Sequence, residues 1–400
     1  MSALLDGLRV VELAGADVWG ASAAAHGARI LADLGGDVVK VEPPTGDPVR
    51  RVPPFLADLP GPDRGLLWIS LNANKRGVML DLPRERDGLR DLLVRADVLV
   101  QSREEVDRAT AASWNPSLVV VTVTPYGSTG PLAGAPASDL EVTAASGSLA
   151  LAGEPDRAPT RTTLPQSPYW TGMQAAMGAL FAILARRAIG RGQHVDVSGQ
   201  ASMVTVHPPA SVHWDVGHEE HQRLGAFLLG RSIVGARFRN IWPCADGYVS
   251  FAIQGGPIGR HTGRMLSAWM KDRGTLGPRF AAIDWDRFDN RTLTQSDVDA
   301  LEAEVATFLA TLTRREFFAG VVERNMLGYP VADASDVYAD AQLRARDFWQ
   351  DTPIDGASLP FPGGFALFDG VRPRVRRAPP RLGEHDAEVL PSPARLEQVR

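Results

Sequence analysis

A chain of 400 residues with 44% hydrophobic and 22% charged residues is long enough to bury a large core, organised in two lobes, and its net charge of −5 excludes an electrostatic case for nucleic-acid binding. The single cysteine, Cys244, excludes an internal disulfide and suits a reducing cytoplasm. Met1-Ser-Ala-Leu-Leu-Asp6 lacks the basic start and apolar run of a signal peptide, and no clean apolar run of about 18 residues reads as a membrane span, so a cytoplasmic protein with no membrane partner is expected.

The chain opens with a strand, Leu8-Arg-Val-Val-Glu-Leu13, a small-residue turn, and an Ala-rich helix to about Leu34 that Gly35-Gly36 ends. Asp37-Val-Val-Lys-Val-Glu42 is the second strand, completing a βαβ unit with parallel strands. The pattern recurs in Gly77–Leu82, a helix over about 84–96, Asp97–Ser102 and Ser117–Thr124. Alternation of this kind predicts an α/β fold, a doubly wound parallel sheet. No G-x-G-x-x-G follows Leu13, which argues against a bound dinucleotide.

Asp139–Leu151 and Ser198 to about Asp215 read as helical. Between them, Leu164-Pro-Gln-Ser-Pro-Tyr-Trp-Thr171 is a polar, Pro-punctuated turn leading into an apolar helix, Gly172–Arg187. Gly172, Ala175, Ala179 and Ala182 make one stripe at helical spacing, and Met173, Met177, Leu180 and Leu184 another. A helix apolar all round is expected to be buried. Arg186 and Arg187 suit its last turn, Gly190 and Gly192 stop it, and His194-Val-Asp-Val-Ser198 follows as a strand. The polar turn before the helix is the best-placed position for chemistry.

Beyond about 225 the composition changes. A strand over Tyr248–Ile253 and helices over 260–272, 297–312 and 314–325 define a smaller middle domain, 226–329. The large domain is then 1–225 together with 330–400, whose last part is loop-rich and carries Pro353, Pro360, Pro362 and Pro373 before a short helix from about Glu384. His207, His213, His218 and His221 cluster with Glu219 and Glu220, but His218-Glu-Glu-His221 is one residue short of H-E-x-x-H, so a solvated helix end is expected and no metal site. No G-x-S-x-G of a serine hydrolase is present.

Several segments, in order and spacing, carry a family resemblance. They are Leu5-Asp-Gly-Leu-Arg-Val-Val-Glu-Leu13, Leu31-Ala-Asp-Leu-Gly-Gly-Asp-Val-Val-Lys-Val-Glu-Pro43, Leu71-Asn-Ala-Asn-Lys-Arg76, Tyr126-Gly-Ser-Thr-Gly-Pro131, Gly190-Arg-Gly-Gln-His-Val-Asp-Val197, Cys244-Ala-Asp-Gly247 and Leu382-Gly-Glu-His385. With them the chain resembles the family III CoA-transferases, a group that includes formyl-CoA and carnitine CoA-transferases and α-methylacyl-CoA racemase. The resemblance implies a Rossmann-like large domain built from both chain ends, a small middle domain, and two subunits interlocked as a dimer.

It also implies CoA or acyl-CoA as a substrate rather than a resident cofactor, and a carboxylic acid as the second substrate. Asn72, Asn74, Lys75 and Arg76 are the residues it suggests for CoA, and Asn, Lys and Arg are chemically suited to phosphate and adenine. Arg103 and Arg108 lie just past the end of a parallel strand, where open α/β sheets bind ligands, and are further CoA candidates. The family's aspartate attacks the donor thioester to form a mixed anhydride, which CoA thiolate reopens to an enzyme-bound thioester. Here its position falls on Ser167 or Pro168, and no Asp or Glu lies between Arg157 and Gln193. Gln166, Ser167, Tyr169 and Asp139 are expected to line the acyl pocket. Asp139 and Asp17 are the nearest alternative carboxylates by sequence placement. The racemase branch needs a His where Ser138 stands, so α-proton exchange is not expected.

These readings predict a CoA-transferase, in its most economical form the aspartate-lacking subunit of a heteromer whose related partner supplies the aspartate, or a homodimer. The alternatives are a non-catalytic chain that binds acyl-CoA, or another acyl-CoA reaction such as a lyase or hydrolase.

Overall fold

Val- and Leu-rich segments too short for helices become the strands of one parallel sheet. In a computed structural model, which describes residues 4–206 and 208–390, these are β1 (Arg9–Leu13), β2 (Asp37–Glu42), β3 (Lys75–Met79), β4 (Val98–Gln101), β5 (Val119–Thr124) and β6 (His194–Ser198). They are ordered β3-β2-β1-β4-β5-β6. Every pairing is parallel. The chain winds outward from β1 in one direction and from β4 in the other, so the order reverses between those two strands. That is the crevice in which such sheets take ligands.

The helices α1 (Val18–Asp33), α2 (Leu66–Asn72), α3 (Arg86–Leu93), α4 (Arg108–Trp114), α5 (Asp139–Ala145), α6 (Ser167–Ile189), α7 (Gly199–Val204) and α8 (Pro208–Gly217) accompany this sheet. One layer of core joins Ala23, Ala24, Ala28, Leu31, Val121, Ala175 and Ala179 between α1, α6 and the sheet. On the other side Val11, Leu13, Val78, Leu89, Leu93 and Leu99 form the second. Burial on both faces explains why the central strands β4 and β5 are near-continuous apolar runs rather than alternating ones.

The small-residue stripe of α6 is the buried one. A methyl group built on Gly172 would lie 2.7 Å from the Ala23 carbonyl oxygen, and one on Gly27 would lie 2.9 Å from the Gly172 carbonyl oxygen. The two helices therefore cross at backbone contact, which only glycine allows here. The expectation of a helix buried all round is corrected. Met177 (45%), Phe181 (65%) and Leu184 (62%) are exposed on the opposite face of the single chain.

The chain divides into two compact units. The first holds the residues up to Ala150, Arg161–His221 and those from Ala341 on, and the second holds Leu151–Thr160 and Gln222–Asp340. The second contains β7 (Phe227–Leu228), β8 (Phe238–Arg239), β9 (Ile241–Cys244), β10 (Gly247–Ser250), α9 (Gly256–Asp272), α10 (Pro278–Ala281), α11 (Gln295–Leu309), α12 (Arg314–Glu323), β11 (Tyr329–Pro330) and α13 (Ala334–Ala339). Its antiparallel sheet, β11-β10-β9, packs Trp242 and Val249 into a core with Trp269, Phe308 and Phe317. The C-terminal part returns to the first unit with α14 (Ala341–Ala345), the hairpin β12 (Trp349–Ile354) and β13 (Ala357–Pro362), and α15 (Asp386–Val389). It is tied along β3: the Gly77 N–H donates to His385 Nδ1 at 3.2 Å and the Met79 N–H to Asp386 Oδ1 at 2.8 Å.

Candidate functional site

The first turn of α1 lies between the end of β4 and the start of α6. Asp17 caps α1 by accepting the Gly20 N–H at 2.8 Å. A methyl group on Gly20 would come within 2.9 Å of Ser102 Cβ, just past β4. Gly15 is equally constrained, with Ala21 N 2.5 Å from where its Cβ would sit. On the other side Trp19 donates its indole N–H to Ser167 Oγ at 2.9 Å. Trp19 carries no motif and was not singled out from the sequence; its place two residues after a helix cap, at the end of a βα turn, is the only signal.

Ser167 opens α6, with Pro168 in the first turn, where a missing N–H costs nothing. Asp139 sits against this helix start. Its Oδ1 accepts the Gln166 N–H at 2.9 Å, the Ser167 N–H at 2.7 Å and the Ser167 hydroxyl at 2.8 Å. A carboxylate here satisfies unpaired N–H groups and meets the positive end of a long helix dipole. Ser138, not Asp139, caps α5, in a capping box with Glu141. Tyr169 packs edge-on against His26 with centroids 5.3 Å apart. Burial raises the Tyr169 phenol above its ordinary value, and the Asp139 charge adds to this. Burial, followed by the charges of Lys75 and Arg29, pushes His26 down to about 4, so its imidazole is neutral at pH 7.

Asp139, Gln166, Ser167 and Tyr169 are thus brought together. Ser167 is fully buried, at 0% exposure, and its hydroxyl is engaged with both Asp139 and Trp19. A nucleophile must reach its substrate, and this oxygen does not. His207 lies outside the described residues; among the described residues no group of His, Cys, Asp and Glu is arranged to hold a metal.

Asn72, Asn74, Lys75 and Arg76, the residues expected to meet CoA, are engaged within the chain. These residues sit at the start of β3, the end of the sheet opposite the crevice, and their polar groups are used internally. Lys75 is completely buried, and its ammonium donates to Glu12 Oε2 (2.7 Å), the Ala25 carbonyl (2.9 Å) and Asn72 Oδ1 (3.0 Å). Three N–H bonds leave nothing for a phosphate. Asn74 binds Asp33 and the backbone of Arg376 and Arg377. Arg76 pairs with Asp37 and Glu388. Glu12 in turn takes Lys40 at 2.6 Å, and Lys40 reaches Asp47 at 2.8 Å.

Arg103 and Arg108 are placed differently. Both are exposed, beyond the C-terminal end of β4 beside β1. Buried Gln101 pins the loop between them: its Nε2 donates to the Val106 carbonyl at 3.0 Å and its Oε1 accepts the Val106 N–H at 3.1 Å. Arg103 pairs with Glu105.

Comparison with known proteins decides the family. The family model for CoA-transferase family III matches residues 5–386. The chain belongs to CoA-transferase family III. Among curated members of CoA-transferase family III, it is 34% identical over 387 residues to the succinyl-CoA:(R)-benzylsuccinate CoA-transferase subunit BbsE of Thauera aromatica, covering 91% of this chain and 89% of that one. It is 28% identical over 411 residues to the succinyl-CoA–L-malate CoA-transferase beta subunit of Chloroflexus aurantiacus, covering 96% and 93%. Among solved structures, a CAIB/BAIF family protein from Brucella suis superposes with a TM-score of 0.80 at 25% identity over 100% of both chains.

Proposed function

We propose that this family III chain is the aspartate-lacking subunit of a heteromeric CoA-transferase, moving CoA between an acyl-CoA and a carboxylic acid in concert with a related chain that supplies the aspartate. The observation that carries this reading is the start of α6, where the nucleophilic carboxylate would stand. It holds a sealed Ser167 hydroxyl and the ring of Pro168. Two curated relatives are named as subunits, which supports an assembly of unlike chains. In this reading the first unit holds a CoA thioester at the β1/β4 crevice, with Arg103 and Arg108 facing the anionic CoA moiety. Gln166 and Tyr169 line the acyl end, and Asp139 fixes the helix start rather than attacking. The partner's carboxylate displaces CoA thiolate from the donor acyl carbon to form a mixed anhydride, the thiolate then attacks the aspartyl carbonyl to give an enzyme thioester and release the donor acid, and the acceptor carboxylate runs the same steps in reverse to leave as its CoA thioester, so one hard exchange becomes several easier ones. Both of those relatives carry succinyl-CoA in their names, which makes it the first donor to try.

The test is reconstitution. The chain is purified alone and co-expressed with an aspartate-bearing homologue, and CoA exchange from succinyl-CoA to added acids is followed. Exchange only in the mixed complex, lost when Arg108→Ala weakens CoA binding, is expected. Exchange at equal rate by the chain alone would overturn the proposal.

A further inference from the structure

The smaller unit contains a cavity of about 450 Å³ that the transferase reading does not use. That is the volume of a site for a small organic molecule. Its walls are apolar where β7 and β9 contribute Phe227, Trp242 and Pro243 and where α11 contributes Ala303 and Ala306. Into it project two arginines from around β8. The Arg239 guanidinium lies 4.8 Å from the centre of the Phe227 ring and 5.7 Å from that of Trp242, and the Arg237 guanidinium lies 5.4 Å from Phe227. Two cations thus share one aromatic ring, and among the described residues neither forms an ion pair or a side-chain hydrogen bond.

Two acids also line the cavity, and each accepts a hydrogen bond from a neighbour. Asp299 accepts Gln295 Nε2 at 2.7 Å. Glu302 accepts the Arg239 backbone N–H at 2.6 Å, and burial raises its carboxyl above the ordinary value, opposed by that bond and by the Arg239 charge. The arrangement holds two forks with free donors, preoriented on π faces, above an apolar floor. Guanidinium forks bind planar oxyanions in two-point fashion, and an aromatic wall gives ring stacking to the body that carries them.

We propose that this cavity is a binding site for an organic carboxylate with an aromatic or flat apolar body, its carboxylate held by Arg237 and Arg239 and its body packed on Phe227, Trp242 and α11. The site lies wholly within the smaller unit and its occupancy does not depend on CoA or on a partner subunit.

The probe is phenylacetate, titrated into the full chain by calorimetry, with inorganic phosphate and succinate as the other arms. A Kd of about 1 mM or tighter is expected for phenylacetate, with succinate and phosphate weaker. Arg239→Gln and Arg237→Gln should each raise that Kd by roughly ten-fold, the loss of one charge-assisted contact. Ala303→Trp, which fills the cavity from an exposed position on α11, should abolish binding while leaving the thermal unfolding transition in place. Wild-type affinity in the Arg237→Gln/Arg239→Gln variant, no phenylacetate binding up to about 20 mM, or phosphate binding tighter than phenylacetate would each overturn the proposal.

Discussion

Lys75 illustrates how a residue with the chemistry of a phosphate ligand is turned to structure by burial. Its ammonium and that of Lys40 share the Glu12 carboxylate with no exposure of any of the three. Burial raises the Glu12 carboxyl, but the two lysines outweigh it and hold the group below its ordinary value. For Lys75 burial wins: it pushes the ammonium down to about 8, with Glu12 opposing and Lys40 reinforcing. Removing one member of such a network leaves an uncompensated buried charge, so Lys75→Met should cost about 3 kcal/mol in urea unfolding. The pH signature is specific. Between about 8 and 10.5 the unfolded chain binds a proton on Lys75 that the folded chain has released, so stability relative to the Met variant should rise with pH across that window. The Glu12 contribution has the opposite range, present above the ordinary carboxylate value and lost as pH falls through the lowered folded one. A relative stability that fell between pH 8 and 10.5 would contradict burial outweighing the Glu12 charge at Lys75. Asp139 makes a second residue-scale prediction. Asp139→Ala strips the acceptor from two backbone N–H groups and the Ser167 hydroxyl, and should destabilise the chain by about 1–3 kcal/mol.

Among the elements, the crossing of α1 on α6 sets the site, because it fixes Trp19 against Ser167. Gly172→Val places a branched side chain where the Ala23 carbonyl and Gly27 backbone already lie, at 2.7 and 3.0 Å from the first added carbon. Overpacking at backbone contact should cost about 2–4 kcal/mol and be visible as a lower urea midpoint, whereas Gly190→Asn beyond the helix end, with open space around it and φ of 70°, should cost under about 1 kcal/mol. Much of this was legible in the sequence. β2 and β6 occupy the expected residues, Asp37–Glu42 and His194–Ser198: β2 is a buried Val-rich run after the Gly35-Gly36 stop, and β6, at the sheet edge, alternates polar and apolar residues. The start of α6 differs from the sequence expectation of a turn through Thr171: proline is accommodated in a first helical turn, so the helix begins at Ser167. β3 starts at Lys75 rather than Gly77, so Lys75 lies within the sheet. The β12–β13 hairpin was hidden by Pro353, Pro360 and Pro362, which a two-stranded ribbon with free edges tolerates. Long-range partners such as Glu12 with Lys75 leave no local pattern in the sequence.

For the whole molecule, the exposed large-residue stripe of α6 is the feature a single chain leaves unexplained. Met177, Phe181 and Leu184 line one side of a helix whose other side is core, and a partner subunit is the natural cover in the heteromeric reading. Phe181→Glu with Leu184→Glu should therefore shift the assembly toward single chains in light scattering without moving the far-ultraviolet circular dichroism; unchanged assembly would place the interface elsewhere. No helix among the described residues is long and apolar enough to cross a membrane. In the proposed function this chain supplies binding while another supplies the carboxylate. It is tested most directly by trapping. The purified chain, alone and in complex with an aspartate-bearing homologue, is turned over with succinyl-CoA, quenched with hydroxylamine or borohydride, and mapped by peptide mass spectrometry. The account predicts no modified Asp or Glu on this chain in either case and a modified aspartate on the partner in the complex. A modified carboxylate on this chain, at Asp139 above all, lost together with exchange activity in Asp139→Asn, would contradict it.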